Sequence, residues 1–285
     1  MEEIERKYKD AENNVEELER RGCTVVHVRR PKTNLVNKQN QTFKSSLTHA
    51  SIDTYMNAEI SYIYRSCTDE MEVQETKRLK HYNNKQKILL VGEGDFSFSL
   101  SLARAFGSAT NLIATSLDSQ AELERNYKNG KANVEELERL GCNVVFGVNV
   151  HSMTTKHNLG CSATYDRVIF NFPHAGFDYG REHEIKTIMR HQELVRGFMK
   201  SARLLVKDED KGGEIHVVHK TEYPFSEWKL KTLGEKEGLE LVSEIEFCLN
   251  HYPGYSNKRG SRGYNDSSFP VGKSSTFIFK KQFFY

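Results

Sequence analysis

Paired cysteines, long apolar runs and a dominant charge are all missing from this sequence. Its five cysteines, Cys23, Cys67, Cys142, Cys161 and Cys248, stand far apart, and none forms a C-x-x-C pair. An odd, scattered set of thiols with no signal-type apolar stretch ahead of it argues against a disulfide scaffold or a zinc ribbon. It suits a reducing compartment and predicts no metal. No apolar run approaches the roughly 20 residues needed to span a bilayer. The final QFFY carries no prenylation signal, so no membrane partner is expected. The formal net charge of the 285 residues is only +2. Charge alone therefore does not announce a nucleic-acid binder. Hydrophobic content is a modest 37%, so part of the chain is short of a core.

What the chain does have is a repeat. Residues 3–26 read EIERKYKDAENNVEELERRGCTVV, and residues 122–145 read ELERNYKNGKANVEELERLGCNVV. Roughly two thirds of the aligned positions are identical. The match stops near His27 and does not recur, which excludes a solenoid. Residues 1–28 are thus a partial duplicate of an internal helix–strand fragment, an idle helix or a docking element. Residues 29–84 are rich in Lys, Asn, Gln, Ser and Thr, and read as a poorly ordered linker. The compact domain is expected over residues 85–285.

Within it, strands alternate with helices. KILLV (87–91), NLIATS (111–116), NVVFGV (143–148), YDRVIF (165–170) and EIHVV (214–218) read as strands. Helices are expected over 97–106, 121–140 with a break near Asn129 and Gly130, 184–206, and 225–237. The stripe of the third is assigned to Ile185, Ile188, Met189, Leu194, Val195, Phe198, Leu204 and Leu205. Residues 239–249 and 275–280 close the sheet with no helix between them. The pattern predicts an α/β fold: a Rossmann-like, doubly wound, mostly parallel sheet with a terminal antiparallel hairpin.

Chemistry gathers at strand ends. Gly92, Glu93, Gly94, Asp95, Phe96 and Ser97 form G-x-G-x-x-S between a strand and a helix. The first glycine suits a tight turn. The second lets a cofactor approach the backbone, and Ser97 is a small residue for helix packing and a plausible cap. The helix start offers N–H groups to an anion. Asp118, after the second strand, can accept hydrogen bonds from ribose hydroxyls. Asn149, after the third, can meet an adenine edge. These residues do not separate NAD from S-adenosylmethionine. After the fourth strand comes Asn171-Phe172-Pro173-His174: an amide to orient a planar base, a ring to stack on it, a rigid turn, and an imidazole to take or relay a proton. His219 and Lys220 end the fifth strand on the same edge. A long loop, residues 251–274, mixes Tyr255 with Lys258 and Arg259, aromatic and cationic groups suited to bases and phosphates.

The stretches GEGDFSFSLSLARAFGS, ATSLDS, NVEELERLGC, FNFPHAG, HQELVRGFMKSA, GEIHVVHKTEYPF, YPGYSNKRG and FPVGKSSTF together resemble the 25S rRNA uridine-N3 methyltransferase-like domain family, which in plants includes stand-alone members. The resemblance covers about residues 85–280. It implies an S-adenosylmethionine-dependent enzyme that methylates N3 of a uridine in large-subunit rRNA, work that suits the nucleolus, whereas the lack of targeting signals suits the cytoplasm. It also implies Gly92, Gly94 and Asp118 at the cofactor and the NFPH turn at the base. As catalytic groups we expect His174 as base or relay and Asn171 as orienting group. Phe172 is the expected stacking platform. Lys220, Lys258 and Arg259 are expected at phosphate or developing charge. An NAD-linked oxidoreductase and a non-catalytic cofactor- or RNA-binding module are the alternatives.

Overall fold

The computed structural model describes residues 75–155, 159, 164–176, 180–260 and 264–282. The front copy of the repeat lies outside these residues, as does the linker stretch up to residue 74. The rear copy is present and builds two helices and a strand.

Strand β3 (Ile88–Val91) shows why the sheet is buried on both faces. Ile88 and Leu90 join the core on one side, and Leu89 and Val91 join the core on the other. An unbroken apolar run is what a central parallel strand requires. β4 (Leu112–Thr115) and β6 (Arg167–Asn171) flank it in parallel, and β5 (Asn143–Val145) adds to β4. β7 (Glu214–Lys220) is parallel to β6. The order is β5-β4-β3-β6-β7-β9-β8, with β8 (Leu239–Glu246) and β9 (Ser274–Lys281) antiparallel to each other and β9 antiparallel to β7. This is the Rossmann-like sheet with the expected terminal hairpin. The order reverses between β3 and β6, so a crevice opens beyond their carboxyl ends.

Helices α1 (Ser97–Phe106), α2 (Gln120–Asn126) and α3 (Gly130–Arg139) pack on one face, and α4 (Ile185–Leu205) and α5 (Leu230–Lys236) on the other. The break between α2 and α3 falls beside Asn129, where expected. Some details differ from the sequence reading. β5 ends at Val145 rather than 148. The helix expected over 225–237 is a 3-10 turn, Phe225–Trp228, then α5, because Lys229 between them takes a left-handed φ of 52°. The phase of α4 also changes. Ile185, Met189 and Leu204 are exposed, while Thr187, His191, Val195, Phe198, Ala202 and Leu205 form the buried stripe.

Two short strands precede the sheet, β1 (Arg78–Leu79) and β2 (Tyr82–Asn83), paired antiparallel within the stretch read as linker. Tyr82 is fully buried, and its hydroxyl meets His216 Nδ1 at 3.0 Å.

Candidate active site

The Gly-rich turn starts where β3 ends. Gly92 holds φ 68°, and a Cβ there would collide with the ring of Phe170. At Gly94 a Cβ would come within 3.2 Å of Lys258 Cβ and 3.5 Å of the Tyr127 ring. The second glycine therefore first makes room for the protein's own late loop. The helix start is also less open than the sequence suggests. Asp95 Oδ1 accepts from Ser97 N at 3.0 Å, and Glu93 Oε2 accepts from Ser99 N at 3.1 Å and Ser99 Oγ at 2.8 Å. Two acids inside the turn take N–H groups that were expected to await an anion. Ser97 is not the cap: Phe96 holds that position, buried and at φ 61°. The Ser97 hydroxyl instead accepts from Ser256 N at 3.0 Å and donates to Ser256 O at 3.2 Å. Burial pushes the Glu93 carboxyl up to about 7, with the Ser99 bonds opposing it.

Asp118 follows β4, half-buried, and accepts from Asn126 Nδ2 at 3.3 Å. Asn149 is exposed and accepts from His151 N at 2.9 Å, which closes a local turn. Asn171 ends β6, one residue past the Val91–Phe170 pairing and so beside Gly92. Both polar atoms of its side chain are buried without a hydrogen-bond partner. A lone amide of this kind costs about 1–3 kcal/mol, and it marks a place where a polar ligand gains from binding.

Beyond the carboxyl ends of β6 and β7 lies a cavity of about 210 Å³. Phe172, Pro173 and His174 line it from the β6 side, His219 and Lys220 from the end of β7, and Lys258 and Arg259 from the late loop. The structure thus brings together residues chosen from sequence on three separate segments. Tyr255 is elsewhere, edge-on to Phe98 at 5.1 Å. Phe172 holds φ 47°, and its ring meets Phe269 edge-on at 5.3 Å. Lys220 Nζ lies 4.8 Å from the Phe225 ring centre and 5.0 Å from that of Phe269. Burial draws its ammonium below the ordinary lysine value; the Glu182 carboxylate opposes this and Arg259 adds to it. His219 is buried against Trp228 with Nε2 on Phe225 O at 3.2 Å, and burial brings it down to about 4. It is a wall of the cavity rather than a proton carrier at neutral pH. Lys258 is already engaged, 2.7 Å from Asp266 Oδ1 and 3.5 Å from Asp95 Oδ2.

Sequence reasoning missed the partners of His174. Its Nε2 meets Glu182 Oε1 at 2.8 Å, while its Nδ1 accepts from Gly176 N at 3.0 Å. Fully buried His191 mirrors it: Nδ1 accepts from Ala175 N at 3.1 Å, and Nε2 faces Glu182 Oε2 at 3.4 Å. The three side chains offer ligand atoms within 4.8 Å of one another, close enough for a metal by distance. The tautomers argue otherwise. A neutral imidazole whose Nδ1 accepts an N–H carries its own proton on Nε2, and a protonated nitrogen has no lone pair for a metal. The group is a carboxylate clamped by two imidazoles. Burial works to raise Glu182, but the bonds from His174 and His191 outweigh it and bring it down to about 2. The one available signal was the phase of α4, which puts His191 on the buried stripe set by Val195, Phe198, Ala202 and Leu205. Among the described residues no helix is long and apolar enough to cross a membrane.

The BMT5-like family, described as rRNA (uridine-N3-)-methyltransferase BTM5-like, matches residues 89–259. An uncharacterized Arabidopsis thaliana protein is 51% identical over 73% of this chain and 99% of its own length. Heavy metal-associated isoprenylated plant protein 41, also of Arabidopsis thaliana, is 45% identical over 78% of this chain, which spans 41% of that protein. The 25S rRNA (uridine(2634)-N(3))-methyltransferase of Saccharomyces cerevisiae is 24% identical over 70% of this chain and 74% of its own length.

Proposed function

Because the chain belongs to the BMT5-like family, we propose that it transfers a methyl group from S-adenosylmethionine to N3 of a uridine in large-subunit ribosomal RNA. The observation that carries this reading is the cavity that brings Phe172, Pro173 and His174 together with Lys220 and Arg259, next to the Gly-rich turn through Lys258. Acting on such RNA, the protein would work in the nucleolus or cytoplasm.

The residues at the turn fit the cofactor. The unpartnered Asn171 amide beside Gly92, expected from the sequence to orient the base, offers a donor and an acceptor to the cofactor's amino-acid end instead, and Asp118 offers a carboxylate to its ribose. When bound, S-adenosylmethionine supplies an electrophilic methyl group. The chain must then present the acceptor nitrogen without its proton. N3 of uridine is an imide nitrogen, hidden in any base pair, so the target base is unpaired or flipped out. Phe172 and Phe269 give the base apolar surface. As N3–H ionises, charge spreads onto the two carbonyl oxygens, and Lys220 and Arg259 are the cations that meet it. The imidazole of His174 has a proton engaged with Glu182 on one nitrogen and an accepted N–H on the other. We therefore revise its expected role as base. His174 fixes the NFPH turn through Glu182, and the imide proton passes to solvent.

Quantifying N3-methyluridine by mass spectrometry in large-subunit rRNA from cells lacking the protein tests the reading. Loss of methylation at one nucleotide, restored by the wild-type gene, is expected. An unchanged level sinks the assigned substrate.

A further inference from the structure

The late loop does two things at once. Its Lys258 and Arg259, with Phe269 and Pro270, wall the cavity. The same loop is fastened to the Gly-rich turn at several points. Ser256 exchanges two hydrogen bonds with Ser97. Lys258 Cβ lies over Gly94. Lys258 Nζ reaches Asp95 Oδ2 at 3.5 Å and Asp266 at both its carboxylate, 2.7 Å, and its carbonyl, 3.1 Å. Asp95 is itself tied to the helix start through Ser97 N and to α3 through Asn133 Nδ2, which donates to Asp95 O at 2.7 Å. Within the loop, buried Asn257 donates to Phe269 O at 2.6 Å and holds the far wall in register.

We infer that Lys258 is a positioning residue that couples the cofactor turn to the cavity, so that a filled turn fixes the wall against which the base is bound. This rests on the function proposed above. The geometry favours it over a phosphate contact. The Lys258 side chain is 11% exposed and shared between two carboxylates of the chain, whereas neighbouring Arg259 is exposed and pairs with no acid among the described residues. A ligand that orders the turn orders Asp95, and through Asp95 and Lys258 the loop. By linkage the effect is reciprocal: whatever the cofactor does for the base, the base does for the cofactor.

The test is a binding cycle by calorimetry on the full chain, with S-adenosylhomocysteine as cofactor probe and a short oligouridylate as base probe. In wild type, S-adenosylhomocysteine should tighten the oligouridylate about tenfold, an ordinary size for coupled sites. In Lys258→Met that ratio should fall to near one, whatever the variant's affinity for oligouridylate without S-adenosylhomocysteine. Lys258→Arg, which can still bridge two carboxylates, should keep the coupling. Coupling that persists in Lys258→Met overturns the inference. So does an equal loss of oligouridylate affinity with and without S-adenosylhomocysteine, the signature of a phosphate contact. Wild type that binds both probes independently overturns this inference alone. Wild type that takes oligouridylate but not S-adenosylhomocysteine overturns the cofactor reading and the inference together.

Discussion

Lys220 holds its charge between the rings of Phe225 and Phe269, where an ammonium gains from the ring faces and gives up part of its water. A cation already stripped and positioned is worth most to an anion that forms late, in the transition state. Replacing Lys220 by Met keeps the stem and removes the charge. Single-turnover methylation should slow about 100-fold, the usual cost of one such donor, with little change in RNA affinity. The pH profile should move as well. With the imide acceptor proposed above, ionisation would limit the reaction in acid, so the rate should rise with pH, and without Lys220 that rise should shift to higher pH. A variant whose affinity falls while its rate constant and profile stay put would show Lys220 to be a phosphate contact. Side chains like this were legible as types at strand ends. Their states were not. Nothing in the tetrapeptide NFPH says that Glu182 and Gly176 occupy the two nitrogens of His174, because that depends on where a loop eight residues later comes to rest.

Elements whose apolar run is continuous, such as β3, or strongly periodic, such as α1, stand in the structure nearly where the sequence puts them. The misreadings arise where few residues carry the burial. β1 and β2 contribute one large buried side chain, Tyr82, within HYNNK, and composition over such a window is polar. In the structure Tyr82 packs edge-on to Phe98 at 6.3 Å and bonds His216, whose other nitrogen meets Glu214 at 3.1 Å. The hairpin is thereby tied to β7. Tyr82→Ala should destabilise the domain by about 3–5 kcal/mol, as for other large aromatic truncations in a core. Tyr82→Phe should lose only about 1 kcal/mol for the single hydrogen bond. Chemical denaturation of the two variants checks the ratio. Equal, negligible losses would mean that the hairpin is a loose appendage. In α4 the error had another cause. Ile185 and Met189 outrank Thr187 and His191 in hydropathy, but Val195, Phe198, Ala202 and Leu205 set the phase. The polar end of that stripe runs beside the cavity, where function displaces the apolar pattern.

Two kinds of buried group divide the molecule's response to pH. His81 and His219 are drawn by burial from 6.5 to about 4, and buried His216 moves the same way. Their unfolded forms bind protons that the folded ones refuse. Stability from these groups is therefore intact above 6.5 and lost as pH falls from 6.5 toward 4. Glu93 acts with the opposite sign. Its folded pKa is about 7 against 4.5 for an ordinary glutamate, so its contribution is whole below 4.5 and lost as pH rises from 4.5 through 7. For one fully buried group that loss is about 3 kcal/mol. Between the limits the histidines outnumber the acid. The whole domain should gain stability from pH 4 to about 6.5, then lose some of it through neutrality. Glu93→Gln keeps a carbonyl oxygen for Ser99 and abolishes the ionisation. The variant should match wild type near pH 4.5, exceed it above pH 7, and leave the acid limb as it was. Denaturation midpoints of the two proteins, measured across this range, decide the matter. A Glu93→Gln protein that tracks wild type at every pH would mean the carboxyl ionises freely at the turn. Glu93 would then be a charged partner for whatever binds there, not a neutral acid folded back onto α1.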